Sequence, residues 1–205
     1  MKIITANNSR RSEKGFSLVE FLLSAMIFIL LSASVFTILA EVQQDANYQP
    51  EIQAVMDNAR IALQTVEKYL RQAGNDPFGA GFQGITIIND HEVQVRSDIK
   101  GSQGASNPNK GDPDGDILDS DENVTLRFNP STSSIEVVSG GTAQIICNHI
   151  QKLSFKYYDA DGNITADGRR VRKITVAVSS IGDVPHMRTR QFFGLELQSE
   201  VRILT

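Results

Sequence analysis

Hydrophobic residues are distributed along the chain in three successive regimes. From Phe16 to Ala40 they run almost unbroken, and Glu20 is the only charged residue among these twenty-five. At about 1.5 Å per residue such a helix reaches roughly 37 Å, enough to cross a hydrocarbon core of about 30 Å. From Glu51 onward the apolar positions Ile52, Val55, Met56, Ala59, Leu63, Val66, Tyr69, Leu70 and Ala73 fall at helical spacing on one stripe, and Gly74 is a natural stop. A break is expected between the two near Asn47 to Pro50, because proline lacks the amide proton an interior helical position needs but suits a first turn.

Beyond Gly74 the period changes to two. The alternation predicts strands near Ile85 to Ile88, Glu92 to Arg96, Asn123 to Phe128, Ile135 to Val138, Gln144 to Cys147, Leu153 to Tyr158, Val171 to Ser179 and Phe193 to Ile203. Asn89, Asp90 and His91 are placed for a tight hairpin, although without a glycine the turn type stays open. Asp159 to Gly168, in the sequence DADGNITADG, is a clearer hairpin connection between two strongly alternating strands.

Charge orients the apolar run. The first 15 residues hold Lys2, Arg10, Arg11 and Lys14 against Glu13, a local charge of +3. Basic flanks stay cytoplasmic, so the chain after Ala40 is expected on the far side of the membrane. Removing those residues from a whole-chain charge of −4 leaves −7. An acidic remainder without a basic stripe argues against nucleic-acid binding through phosphate neutralisation. Cys147 is the only cysteine, so no internal disulfide forms.

Glu20 decides between kinds of membrane segment. A secretory signal peptide has a shorter apolar region, about 7 to 15 residues, closed by a small-x-small cleavage site. Here Ser32 to Ser34 lie in mid-run, and the apolar sequence continues through VFTILA. A plain anchor leaves Glu20 unexplained, because a carboxylate in a span costs free energy and usually marks function. In the first turns of the helix the cost is moderated by the interface and by the helix dipole.

KGFSLVE, residues 14 to 20, resembles the processing site of type IV prepilins and type II secretion pseudopilins. The resemblance implies cleavage by a prepilin peptidase between Gly15 and Phe16, N-methylation of the new Phe16 amine, and Glu20 as the fifth mature residue. In a filament core that buried amine would be compensated by the Glu20 carboxylate of a neighbouring subunit, worth roughly 4 kcal/mol at 4 Å and an effective dielectric near 20. Glu20 is then an intersubunit registry device. Two further stretches resemble PilW-type minor pilins. ALQTVEKYLRQAGN, residues 62 to 75, has an Arg-x-Ala-Gly ending, and LSFKYYDADGN with VRKITVAV repeats a strand, acidic glycine turn and returning strand shared with GspJ.

Other candidate chemistry is weaker. GAGFQG, residues 79 to 84, matches G-x-G-x-x-G but follows a helix and precedes a strand, the reverse of what phosphate binding at a helix N-terminus needs, and reads as a linker. Residues 109 to 123, NKGDPDGDILDSDEN, crowd six acids, and Asp112, Asp114, Asp116 and Asp119 are candidate calcium ligands. The spacing departs from an EF-hand: counted from Asp112, Gly115 comes two places early and the twelfth residue is Asn123. A solvated acidic loop is the competing reading. Asp159, Asp161 and Asn163 read as a turn, and His91, His149 and His186 are scattered. With no catalytic constellation, the chain reads as a non-enzyme.

The expected fold is α+β, a pilin fold with a long N-terminal helix, transmembrane in its first half, packed on an antiparallel β-sheet domain. Residues 1–15 form the leader, 16–42 the transmembrane or filament-core helix, 43–74 its amphipathic second half, and 75–205 a periplasmic β-rich head. The resemblance implies a structural minor pilin of the PilW type that helps to initiate or cap a type IV pilus. A GspJ-like minor pseudopilin of a type II secretion system and a pilus-displayed calcium-dependent adhesion module are the alternatives. Implied partners are the prepilin peptidase, other minor and major pilins, the bacterial inner membrane and a PilY-type tip adhesin.

Overall fold

The computed structural model describes residues 17–101 and 111–203. Helix α1 (Leu18–Gln72) passes through Asn47 to Pro50 without the expected break. Pro50 there removes only the one bond its missing amide proton would have made, and the helical residues on both sides hold the conformation. The chain falls into two compact units divided between Asn47 and Tyr48. The described part of the first unit is helix alone.

In the second unit, Val55, Ala59, Ala62, Val66, Leu70 and Ala73 are buried at intervals of three and four residues along one helical face. Ala62 belongs to that face although the sequence stripe omits it; Ile52, Met56, Leu63 and Tyr69 lie at its half-buried margins. The helix ends where expected. Gly74 adopts φ 75°, and its amide donates to the Arg96 carbonyl at 2.9 Å, so the chain leaves the last turn already bonded to the sheet.

Among the described residues eight strands follow: β1 (Ile85–Ile87), β2 (Glu92–Arg96), β3 (Asn123–Asn129), β4 (Ser134–Ser139), β5 (Thr142–Cys147), β6 (Ile150–Tyr158), β7 (Lys173–Ile181) and β8 (Gly194–Arg202). All eight coincide with predicted segments, with ends shifted by at most a few residues. The sequence pattern did not reveal that they form two antiparallel meanders, β1 to β5 and β6 to β8, rather than one sheet. The division falls at Asn148 and His149. His149 takes the left-handed region at φ 59°, its carbonyl accepts from the Ile181 amide and the Ser180 hydroxyl, and the Ile150 amide returns to the Ser133 carbonyl. One core joins both sheets and the helix, with Leu126, Ile135, Leu153, Ile174 and Val176 packed against Ala62, Val66 and Leu70. Each fully buried Val, Leu or Ile among them contributes about 1.5–3 kcal/mol.

Turn chemistry accounts for the connections. The β4–β5 hairpin turns on Gly140 and Gly141, both at positive φ, as a two-residue turn matched to strand twist requires. The Asn89–His91 connection needs no positive φ: the Ile88 and Asn89 amides both reach the Glu92 carbonyl, and the Asn89 side chain accepts from the His91 amide. Gly84 is required by close approach. A Cβ built there would lie 2.6 Å from the Gly74 Cα and closer still to its nitrogen. Gly84→Ala is therefore expected to destabilise the protein by about 1–3 kcal/mol, read as a thermal midpoint lower by several degrees.

A cross-strand cluster on β3 and β4 sets part of the acid sensitivity. Glu136 accepts from the Asn129 side-chain Nδ2 at 2.7 Å and from the Arg127 guanidinium at 2.7 and 2.8 Å. These partners, Asn129 first, hold its carboxyl below the ordinary range against the opposing effect of burial. Because the folded pKa is depressed, this stabilisation is complete above the unfolded value of about 4.3 and is lost as pH falls through the lower folded value. Thermal midpoints of the wild type are expected to drop more steeply below about pH 4 than those of Glu136→Gln.

Candidate functional site

The first unit offers a surface rather than a cleft. Leu18, Val19, Phe21 to Leu23, Met26 to Leu31, Val35, Phe36, Ile38, Leu39 and Val42 are all exposed. Met26 to Leu31 are six consecutive exposed residues, and at 100° per residue they sweep the whole circumference, so among the described residues none covers a face of this segment. A helix that is apolar all round belongs in a bilayer or among other helices. Three of its hydroxyls are turned inward on the backbone: Ser24 donates to the Glu20 carbonyl at 2.8 Å, Ser34 to Leu30 at 3.0 Å and Thr37 to Ala33 at 2.9 Å. Such bonds to the preceding turn leave these three hydroxyls no need of water.

Glu20 occupies the first turn of α1. The Ser17 carbonyl accepts from the Phe21 amide at 3.1 Å, which places Ser17 at the helix start with Glu20 three residues on, the spacing of a capping box. The carboxylate thus sits where the helix dipole favours an anion, on the one charged position of an otherwise apolar surface. Gly15 and Phe16, the cleavage positions expected from the sequence, lie outside the described residues.

The acidic loop has an organisation that its composition conceals. Two carboxylates, one of them in strand β2's continuation, are wholly buried and bonded to backbone amides. Asp98 accepts from the Asp114 and Gly115 amides at 3.1 and 2.9 Å. Glu122 accepts from Ile99 and Lys100 at 2.9 and 3.0 Å and from Asp119 at 3.2 Å. These are staples that fold the loop onto the strand, where a buried carboxylate is stable because charged-group hydrogen bonds replace its lost water. Of the candidate calcium ligands, Asp114 and Asp116 each accept from the amide two residues on, at 3.3 and 2.8 Å, as turn-forming aspartates do. Among the described residues no group of three or more His, Cys, Asp or Glu side chains is arranged to hold a metal ion. Asn109 and Lys110 of this loop lie outside the described residues.

With two of its four proposed ligands engaged by the backbone, the loop is expected to give the purified chain the same melting temperature with and without calcium. A rise that grows with calcium concentration, and vanishes when Asp112, Asp114 and Asp116 are neutralised, would establish a site.

The remaining sequence features resolve as local structure. In GAGFQG, Gly79 and Gly81 take positive φ, the Asp76 carboxylate caps the Ala80 and Gly81 amides at 2.8 Å each, and β1 rather than a helix follows. Those amides, that of Gly81 foremost, hold the Asp76 carboxyl below its usual range. Asp159 accepts from the Asp161 and Asn163 amides and pairs with Arg170 at 3.2 Å, which closes the β6–β7 turn. Cys147 is buried, its thiol donates to the Asn58 carbonyl at 3.3 Å, and burial pushes its pKa up. No family model matches the chain, and no curated protein matches it.

Proposed function

We propose that the protein is a structural minor pilin of the PilW type, processed by a prepilin peptidase, held in the bacterial inner membrane by its apolar helix and then drawn into a filament. One observation carries this reading: a single carboxylate, Glu20, stands five residues beyond Gly15 at the head of a helix whose first segment is apolar and exposed around its circumference. A membrane explains the apolar surface but not the acid. Helix packing in a filament explains both, because the same surface is buried against sister helices and the carboxylate meets the methylated Phe16 amine of a neighbour.

The second unit suits this role as a head, a helix face sealed on two sheets by an apolar core in a chain with one cysteine. Within this reading the presence of Glu20 places the subunit below the extreme tip, since a tip subunit has no earlier amine to neutralise. Co-purification from detergent-solubilised membranes tests the proposal. The full chain is expected to bring down other minor pilins and to appear in the sheared filament fraction only when the prepilin peptidase is active. Its equal appearance there without the peptidase would refute it.

A further inference from the structure

Among the described residues the two sheets have four outer strands, β1, β5, β6 and β8, and three of them are blocked as pairing edges. β1 is three residues long, and the Gln83 side chain occupies its Ile85 carbonyl. β5 is interrupted by an extra residue, Ile146, between the partners of Ile135 and Glu136. β6 bulges at Gln151, and its outer side is already bonded: the Ile150 and Phe155 amides donate to the Ser133 and Asp90 carbonyls, and the Tyr157 carbonyl accepts from the Thr165 amide. β8 has none of these devices. It pairs with β7 over nine consecutive residues without a shift and contains neither proline nor lysine. An open edge of that length is a template for another strand.

The open groups can be named. The Gly182 amide donates to the Phe193 carbonyl and the Ile203 amide to the Arg172 carbonyl, each at 2.9 Å, so the odd-numbered residues of β8 face β7. The amides and carbonyls of Gly194, Glu196, Gln198, Glu200 and Arg202 point away from the sheet and form no bond among the described residues, and all five residues are exposed. The start of the strand is held in place. The Tyr48 hydroxyl accepts from the Phe193 amide at 3.1 Å and Glu51 accepts from the Asp183 and Val184 amides at 2.6 and 3.2 Å, which fixes the 182–193 loop leading into β8.

From these features we infer that β8 is the docking edge for an extended segment of another protein, one that alternates apolar with polar residues and carries a lysine or arginine across from Glu196. Only an extended chain offers donors and acceptors at the matching spacing, so the open ladder selects a strand over a helix or a lipid. The segment's apolar residues lie beside Leu195 and Leu197, which the sheet leaves half-buried. Charge selects its polar face. Glu200 is already matched by Lys173 at 3.3 Å, whereas Glu196 makes no ion pair among the described residues. Residues 16–205 together carry −7, which favours a basic partner in the same sense. Geometry disfavours a second copy of this chain. Two β8 strands pairing antiparallel are related by a twofold axis normal to the sheet, which reverses the helix packed on it, so the two helices leave their heads in opposite directions. That step rests on the reading of the apolar helix as a membrane span, since two copies anchored in one bilayer leave their heads toward the same side.

Two probe peptides as long as β8, of alternating threonine and valine and identical but for lysine or glutamate at the position facing Glu196, test this on the full-length protein in detergent micelles. Residue-resolved amide exchange is the readout, because strand addition bonds the outward amides. The lysine peptide is expected to slow exchange at the Glu196, Gln198 and Glu200 amides at least about tenfold, and to bind about fivefold more tightly than the glutamate peptide. Glu196→Lys should invert that preference. Gln198→Pro removes an outward donor without touching the bonds to β7, and should abolish the slowing while the thermal midpoint holds. If that variant does not fold, the inversion by Glu196→Lys decides. Unchanged exchange at these amides in millimolar lysine peptide overturns the inference, as does equal slowing at Gln144 on the β5 edge or a preference that Glu196→Lys leaves unaltered. Sedimentation of the wild type as a dimer that Gln198→Pro dissolves overturns the foreign partner and assigns the edge to a second copy. These outcomes are read separately from the membrane span, which is measured by retention of the full chain in carbonate-washed vesicles.

Discussion

Glu20→Leu is expected to leave membrane insertion, processing and the fold of the head unchanged while lowering incorporation into filaments at least about a hundredfold. Removing one partner of a buried ion pair costs about 3–5 kcal/mol, because the amine left behind is buried without compensation, and 1.4 kcal/mol is a factor of ten. The head is untouched because no core residue lies within the first thirty described positions of the chain. The capping-box spacing from Ser17 to Glu20 supplies a rival explanation, and Glu20→Gln separates the two. Glutamine serves the N3 position of a capping box as glutamate does but carries no charge. Loss of incorporation in both variants identifies the charge pair, whereas rescue by glutamine would reduce Glu20 to a helix cap. Quantitative comparison of sheared filament and membrane fractions reads either outcome.

Gly15→Leu is expected to abolish processing altogether, with the chain accumulating in the membrane at precursor mass and none in filaments. The resemblance at KGFSLVE puts cleavage after Gly15. Without it Phe16 remains in a peptide bond, so the cation that Glu20 is proposed to meet never forms. The uncut leader also keeps its charge of +3 at the head of the span. Drawing such a helix out of the bilayer into an apolar bundle would bring charges that each cost about 2.5–3.5 kcal/mol at a helix centre. The double variant Gly15→Leu/Glu20→Leu should be no worse than Gly15→Leu alone, since both changes remove the same interaction.

The parts of the fold that could be read from the sequence are those in which one period persists. The stripe from Val55 to Ala73 needs only a helix of 3.6 residues per turn, and β2, β3 and β6 alternate cleanly enough to mark themselves. The pattern was misleading at Pro50, where local propensity argued for a break and the helix on both sides prevailed. It was silent about the two sheets, because Asn148 and His149 change neighbours without changing period.

The carboxylates show the same limit in another form. Asp112 to Glu122 read as one acidic run, yet Glu122 is buried and satisfied by amides more than twenty residues away, at Ile99 and Lys100. Asp98, alone in its stretch of sequence, holds the loop from the other side. Tyr48 and Glu51 were likewise unremarkable beside a proline, and their role on the 182–193 loop depends on contacts across more than 130 residues of chain. Periodicity reports which way a side chain faces; it does not report what it meets. Glu20 was conspicuous for the opposite reason, as a single charge where twenty-four neighbours have none.

The most direct measurement is the mass of the N-terminal peptide of the protein isolated from membranes of cells with an active prepilin peptidase. It should begin at Phe16 with a methylated amine, and the unprocessed chain should be found in cells lacking the peptidase. An N-terminus near Glu41, or an intact leader in the presence of the active peptidase, would contradict the pilin reading and leave the apolar helix as a cleaved signal or a simple anchor.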